Sequence, residues 1–191
     1  MGASGRHAQD FEVSVPSGKI HNLINTSVLC CLGAGTLYLN ATHRLSVPTP
    51  WLAGFGSAFW VGTFLLSPDL DLADQQNVNS KRSWGIFGTL WHPYGTLFSH
   101  RGLSHSWIFG PLTRLVYLGL ILLPVFLLTP LLIPNTLKQL SALSWSTLWA
   151  TLLGYYVSQW LHLLADGIFP GHSFRWIRSK SKRSRKQRRK R

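Results

Sequence analysis

Four long apolar runs alternate with short polar clusters along the chain. The runs cover residues 23–39, 51–66, 115–133 and 143–164. None of them contains a charged residue. A helix needs about 20 apolar residues, with a range of about 17 to 25, to cross the hydrocarbon layer of a membrane. The first run carries Asn25, Thr26 and Ser27 and is a marginal span, better suited to packing inside a bundle. We therefore expect an all-α fold, an integral membrane helical bundle with about four spans and with polar loops on one face.

The polar clusters hold the residues with the most informative chemistry. They lie at residues 67–71, 99–106 and 162–166, and half of the six acidic residues of the chain fall in them. With one histidine ahead of the first run, they supply seven candidate metal ligands: His21, Asp69, Asp71, His100, His105, His162 and Asp166. Spans that run up and down place the start of spans one and three on the same face as the end of spans two and four. All seven candidates therefore fall on one face of the membrane.

The distribution of positive charge predicts which face this is. Loops on the candidate face carry four Lys or Arg residues and the basic C-terminus, whereas the opposite loops carry Arg44 and Lys138. The positive-inside rule then places the site and both termini in the cytoplasm. Arg114, just ahead of the third run, is expected to extend its side chain to the membrane interface. Residues 1–18 are too long and too polar a start for a signal peptide, and we expect a disordered N-terminus.

His162 and Asp166 are four residues apart, so they share one face of a helix. One helix can in this way offer two ligands to the same ion. The structural alternative is a histidine bonded within its own helix and an aspartate near the helix end. The helix dipole disfavours negative charge at a C-terminus, however, and a bound cation would remove that conflict. His21 carries less weight, because a single histidine at an interface is usually structural.

The other candidates depend on the shape of a loop. Asp69 and Asp71 cannot share a helical face, but a turn can direct both inward; the alternative is a capping or turn aspartate after Ser-Pro. His100 and His105 would lie about 140° apart on an ideal helix. Both can be ligands only where the backbone bends, which Gly102 allows. Otherwise His105 caps the third span and His100 is a surface residue.

Mixed imidazole and carboxylate ligands suit Zn, Mn, Fe or Ni better than Ca or Mg. We expect a divalent transition metal, with Zn or Mn favoured. Seven candidates exceed what one tetrahedral ion requires. Two ions about 3.5 to 4 Å apart would use them, an arrangement that serves phosphoester displacement. The sequence therefore predicts one or two ions.

Four segments, residues 15–21, 67–71, 100–105 and 162–166, resemble in this order an uncharacterised bacterial family of metal-binding proteins, mostly cyanobacterial. The Pro-Asp-x-Asp, His-Arg-Gly-x-Ser-His and His-x-x-x-Asp elements are also similar to those of inner-membrane metal-dependent hydrolases linked to DNA damage responses. That group is distantly similar to zinc-dependent phospholipase C and related nucleases. The resemblance implies a metal site, a bacterial inner membrane (plasma or thylakoid) and a hydrolytic activity.

The C-terminal segment differs from the rest of the chain in its charge. The net charge is +13, but eleven Lys or Arg residues lie between residues 175 and 191, which leaves the rest of the chain at +2. Such a segment repels itself and cannot bury a core. We therefore expect a membrane-embedded metal-binding domain at residues 19–172 and a disordered polybasic tail at 173–191. Anionic membrane lipids are the expected partner of the tail, nucleic acid is less favoured, and a topology determinant is the plain alternative.

Two functions follow from these residues. The first is a metal-dependent hydrolase that acts on phosphoesters at the cytoplasmic membrane face, with Asp69 as the catalytic residue that takes or positions a proton. The second is a non-catalytic metal-binding membrane protein that senses, stores or carries the ion. A carrier should place its ligands near the bilayer midplane, whereas these candidates lie at span ends. Whether the protein is an enzyme, and on which small-molecule or lipid substrate it would act, stays open at this point.

Overall fold

Four long helices form the frame of the protein in a computed structural model that describes residues 18–72, 78–98, 103–133 and 143–170. These helices are α1 (Gly18–Ala41), α2 (Thr49–Phe64), α3 (Phe109–Leu132) and α4 (Trp145–Ala165). Every regular element within the described residues is helical, which confirms the all-α prediction. Residues 1–17, His100 and the polybasic tail at 173–191 lie outside the described residues.

Two of the four predicted spans have the length and composition to cross a membrane. They are Gly18–Ala41 and Phe109–Pro130, judged on the part of the chain that the structure describes. The run at 51–66 forms the 16-residue α2, which at 1.5 Å per residue is about 24 Å long, less than the roughly 30 Å of a hydrocarbon core. The 21-residue α4 is long enough, but Gln159 and His162 lower its mean hydropathy. The first run, expected to be marginal, is instead a helix of 24 residues.

The pair formed by α2 and α4 is held together by small residues. A Cβ added at Gly154 on α4 would collide with the backbone carbonyl of Phe55 on α2. A Cβ at Gly62 on α2 would collide with the Ser158 hydroxyl on α4. Glycines at these positions let the two backbones approach closely, as in helix pairs inside membranes. This close contact fixes the end of α2 beside the end of α4.

The described residues of the segment between α2 and α3 form a series of short helical turns. They are Pro68–Leu72, Asn79–Ser83, Gly85–Trp91, His92–Leu97 and Leu103–His105. These turns fold over one end of the bundle, where Leu66, Leu70, Trp91, Tyr94 and Tyr155 form a buried cluster. Amphipathic aromatic residues of such a segment commonly lie at a membrane boundary, but Trp91 and Tyr94 are completely buried because they pack against each other and the helices.

Arg114 differs most clearly from its sequence-based interpretation. Its side chain does not extend to an interface but is completely buried, with hydrogen bonds to three other segments. The helix that carries it begins at Phe109, six residues before the apolar run at 115–133, and continues through Pro124 and Pro130. This earlier start moves Arg114 into the packed end of the bundle.

Candidate metal centre

Helix α4 delivers two candidate ligands at its last turn. His162 is buried there, and Asp166 is the residue at which the helix ends. The next residue, Gly167, has a positive φ of 71°. The N–H of Ile168 then bonds to the carbonyl of Leu163 at 2.8 Å and that of Gly167 to Leu164 at 2.9 Å. Glycine in this conformation is a common helix stop, and it leaves the Asp166 carboxylate beside His162.

The first turn of α1 brings His21 to the same place. His21 Nε2 lies 3.2 Å from Asp166 Oδ1. The imidazoles of His21 and His162 are stacked, with ring centroids 4.1 Å apart and an angle of 16° between the ring planes. Two residues separated by 141 positions in the chain are thus in direct contact. The helix N-terminus and the helix C-terminus that the topology placed on one face do meet.

The distances in this group suit the ligands of one ion. His21, His162 and Asp166 each offer a ligand atom within 4.8 Å of the others. His162 Nε2 lies 3.5 Å from both Asp166 Oδ2 and Asp69 Oδ1. In a tetrahedral site with bonds of about 2.1 Å, ligand atoms stand about 3.4 Å apart. His162 Nε2 is also buried, and among the described residues it makes no hydrogen bond of good geometry. A cation between these atoms would satisfy it.

The two aspartates come from the short turn Pro68–Leu72, here called the aspartate turn. The backbone N–H of Asp69 bonds to the Ser67 hydroxyl at 3.2 Å, and the N–H of Leu70 bonds to the Ser67 carbonyl at 3.1 Å. The turn buries Leu70 in the core and directs Asp71 inward, so that the Asp71 side chain is fully buried. The Asp69 side chain keeps about a quarter of its surface exposed. It is more exposed than the carboxylates of Asp71 and Asp166.

His105 belongs to a second turn, Leu103–His105, called the histidine turn. Its Nδ1 lies 3.1 Å from Asp71 Oδ2, and both side chains are buried. The neighbouring Ser106 hydroxyl accepts a hydrogen bond of 2.8 Å from the N–H of Gly110, at the start of α3. His105 was expected at the start of the third span; it lies four residues before α3, in a turn fixed to that helix.

Asp69 lies where the two groups meet. Burial raises the pKa of its carboxyl, but the close contact with His162 and the electrostatic influence of His162, His105 and His21 together lower the pKa below its ordinary value. The start of α1 is also close, since a Cβ on Gly18 would lie 3.6 Å from Asp69 Oδ2. A helix N-terminus favours negative charge. Asp69 is therefore held as a carboxylate among three imidazoles.

Six of the seven predicted ligands are in the described residues, and the structure gathers them at one end of the bundle. His100 is the seventh and lies outside the described residues, so its place stays a prediction, as does the role of the six as metal ligands. The donor set has three imidazoles and three carboxylates, a composition that suits a divalent transition metal. His43 and His92, which are not among the seven candidates, are exposed.

A layer of buried polar residues just below this cluster was missed from the sequence. The Asn25 amide donates to the Thr63 hydroxyl at 3.2 Å and to the Ser158 carbonyl at 3.0 Å. Gln159 and Arg114 continue the layer. A periodic signal was available, because Asn25 is one helical turn after His21 and Ser158 is four residues before a predicted ligand.

Comparison with known proteins supports a metal site. The model of the family described as "Uncharacterized metal-binding protein (DUF2227)" matches residues 16–176. The chain belongs to this family, and the match covers every candidate ligand. A protein of Aquifex aeolicus (strain VF5), described as "Uncharacterized protein", is 38% identical over 72 residues, which is 38% of this chain and 49% of that protein. The chain thus spans about half the length of this curated relative. No solved structure matches the chain.

Proposed function

We propose that the protein is a membrane-embedded metal-dependent hydrolase that acts on phosphoesters at the cytoplasmic face of a bacterial inner membrane. The observation that carries the proposal is the cluster itself, in which three histidines and three aspartates from four separate segments meet at one end of the bundle. The membership of a metal-binding family supports the metal, and the substrate class rests on the kind and number of ligands.

Two ions, Zn or Mn, fit the arrangement of the side chains. His21, His162 and Asp166 would hold one ion, since their ligand atoms lie within 4.8 Å of one another. Asp71 and His105, 3.1 Å apart, would hold a second. Asp69 Oδ1 lies 3.5 Å from His162 Nε2, and in this arrangement its carboxylate stays beside the ions for proton transfer. A single ion at the first position is the simpler form of the same centre.

The residues of the cluster divide between binding and proton transfer. A bound metal supplies Lewis acidity and lowers the pKa of water. Asp69 is the carboxylate that solvent reaches, and we assign it the task of taking or orienting the proton of the attacking water. Asp71 and Asp166 are less exposed and hold their histidines in place by contacts of 3.1 and 3.2 Å.

The membrane setting is supported by α1 and α3. Both are long and apolar, and only 6% of the most apolar stretch of each helix is buried within the protein. We propose that α2 and α4 complete a four-span bundle despite the short α2 and the polar face of α4, because that polar face is directed at the other helices. The polybasic segment at 173–191 would bind anionic lipid headgroups.

A non-catalytic protein that senses, stores or carries the metal is the second candidate. The burial of the cluster favours it: His21, Asp71, His105 and His162 are each at most 5% exposed. A buried site suits a protein that stores or senses the ion, whereas a hydrolase must give a phosphoester access to the metal. Asp69, with about a quarter of its side chain exposed, is the feature that favours the hydrolase.

The test begins with metal analysis of detergent-purified protein. We expect at least one transition metal per chain, lost when His162 and Asp166 are both changed to Ala. His92→Ala is the matched control, because His92 is an exposed histidine on a short helix at the same end of the chain's fold. A double variant that keeps full metal occupancy would remove these residues from the site.

Activity is then screened on phosphodiester and phospholipid substrates with metal-loaded protein. The hydrolase proposal expects turnover that Asp69→Asn reduces by about 100-fold or more, the scale on which a lost acid–base group acts, while metal content is largely kept. Stable metal binding with no turnover on any of these substrates favours the non-catalytic function.

A further inference from the structure

Arg114 is completely buried, five residues after the start of α3. Arginine keeps its charge in proteins, and a charged side chain within an apolar helix is costly and marks a functional role by default. Its acceptors are neutral. The guanidinium donates to the Leu66 carbonyl at 3.2 Å, to the Ser104 carbonyl at 2.8 Å and to the Gln159 side-chain oxygen. Within the part of the chain that the structure describes, an ion pair therefore does not account for its position.

Each of these acceptors lies next to a segment that supplies candidate ligands. Leu66 directly precedes Ser67 and the aspartate turn. Ser104 precedes His105 in the histidine turn. Gln159 is three residues before His162, about one turn along α4. One guanidinium thus connects three segments: the aspartate turn, the histidine turn and the last turns of α4.

The fourth ligand segment joins the same layer through Asn25. This residue is one turn after His21 on α1, and its amide bonds to Thr63 on α2 and to the carbonyl of Ser158 on α4. Ser158 is the direct neighbour of Gln159, whose amide nitrogen donates to the Ser158 hydroxyl at 3.2 Å. The polar layer is therefore continuous below the cluster, and Arg114 is the member with the most connections to ligand-bearing segments.

We propose that Arg114 is a positioning residue that sets the geometry of the metal centre by holding the aspartate turn, the histidine turn and α4 in register. This inference rests on the proposed metal site. Arg114 acts on ligand positions through backbone carbonyls and one side-chain amide, not by contact with an ion. Its planar fork can bond several acceptors at fixed angles, which the single ammonium of a lysine cannot reproduce.

Arg114→Lys tests this directly, because it keeps the charge and much of the side-chain volume. The probe is Co²⁺ added to metal-free protein in detergent, followed by its visible absorption, which reports ligand geometry, and by its affinity. We expect the Arg114→Lys protein to bind Co²⁺ about 10- to 100-fold more weakly, the usual cost of losing a residue that orients ligands. The visible absorption of Co²⁺ bound to the folded variant should also differ from that of the wild type. Arg44→Lys is the matched control, since Arg44 is exposed on the opposite loop.

Gly110→Ala disturbs the same contact from the other side. A Cβ at Gly110 would collide with the Ser104 carbonyl and would lie 3.0 Å from Arg114 Nη2. It should shift the histidine turn and change the Co²⁺ spectrum in the same direction as Arg114→Lys. This variant decides the question where Arg114→Lys fails to accumulate in the membrane.

Wild-type affinity and an unchanged spectrum in either variant that folds would overturn the positioning role. So would a loss of thermal stability with normal Co²⁺ binding by the folded fraction, which is the result of a merely structural residue. Failure of the wild-type protein to bind Co²⁺ or any other transition metal is a different outcome, because it removes the metal centre itself.

Discussion

At the end of the bundle that carries the candidate centre, Leu66, Leu70 and Trp91 are at most 1% exposed. Farther along α3, on the same chain and with the same apolar character, Leu120 is 62% exposed and Phe126 is 51% exposed. The first region takes its packing from the protein: the short turns between α2 and α3 cover it. The second region has no such cover within the described residues.

The difference in burial between the two regions shows which part of the chain packs against other parts of the same chain. Exposed apolar surface of this extent on a monomer marks a contact with a partner or a membrane. Inside a membrane, apolar side chains gain little from burial against each other, and close packing of small residues and polar contacts hold helices together. The buried amide, hydroxyl and guanidinium groups of the polar layer supply polar contacts of this kind at the end that carries the candidate ligands.

Removal of His105 should have the largest effect, and only on the packed end. We expect His105→Ala to reduce metal affinity by more than the roughly 100-fold that the loss of an orienting partner costs, because the imidazole contacts Asp71 at 3.1 Å and lies near Asp69. Metal content per chain and competition with a chelator measure this. Membrane insertion should be normal, which separates the two regions.

The comparison of His105 with His100 sharpens this prediction. His100 lies outside the described residues, and its place before Gly102 predicts a freer backbone, whereas His105 lies in a turn fixed to α3 by Ser106. A ligand held by rigid surroundings loses less entropy on binding, so His100→Ala should cost less affinity. Equal losses would show that both histidines bind the metal. Unchanged metal content in His105→Ala would exclude it from the centre.

The candidate ligands could be selected from the sequence because histidines and aspartates are conspicuous between long apolar runs. His162 and Asp166 have helical spacing, and an up-and-down order of apolar runs brings them to the face of Asp69. The pairing of particular atoms could not be predicted. It depends on the stop at Gly167 and on the aspartate turn, which are set by backbone geometry and contacts distant in sequence.

Hydropathy alone also misjudged the residues that connect the helices. Arg114 was expected at a membrane interface because a long side chain can usually reach water. Its burial depends on acceptors from residues 66, 104 and 159, which no local pattern in the sequence brings together. Likewise, Trp91 and Tyr94 have the composition of an interface but form a core, since the short turns fold back over the bundle.

A charge on the exposed flank of α3 should have the next largest effect, and on the other region. Leu120 lies near the middle of α3. Leu120→Lys should hinder membrane insertion by about 2.5 to 3.5 kcal/mol, the cost of a lysine at the centre of a span. Ile86→Lys is the matched control, because Ile86 is 83% exposed in the short turns near the candidate centre and should tolerate the charge. The fraction of protein in the membrane after expression measures both.

The outcome distinguishes lipid from water as the surroundings of α3. A Leu120→Lys protein that accumulates in the membrane like the wild type would show that this face does not contact lipid. A soluble, metal-binding Leu120→Lys protein would move the proposed function away from the membrane.

The smallest effect is expected from pH, and it should again act on the packed end alone. The pKa of Asp69 is lowered in the folded protein, since its partnership with three histidines outweighs the effect of burial. A carboxyl with a lowered folded pKa stabilises the fold above its unfolded pKa of about 3.9, and this contribution is lost as the pH falls through the folded value.

The thermal midpoint of metal-free protein in detergent, followed by near-UV circular dichroism, should therefore decrease with falling pH below about 4. The exposed quarter of the Asp69 side chain lets water screen the interaction and keeps the effect modest. Asp69→Asn should flatten this dependence while the total helical signal in the far-UV stays unchanged. An equally steep dependence in the Asn variant would show that the effect does not come from Asp69.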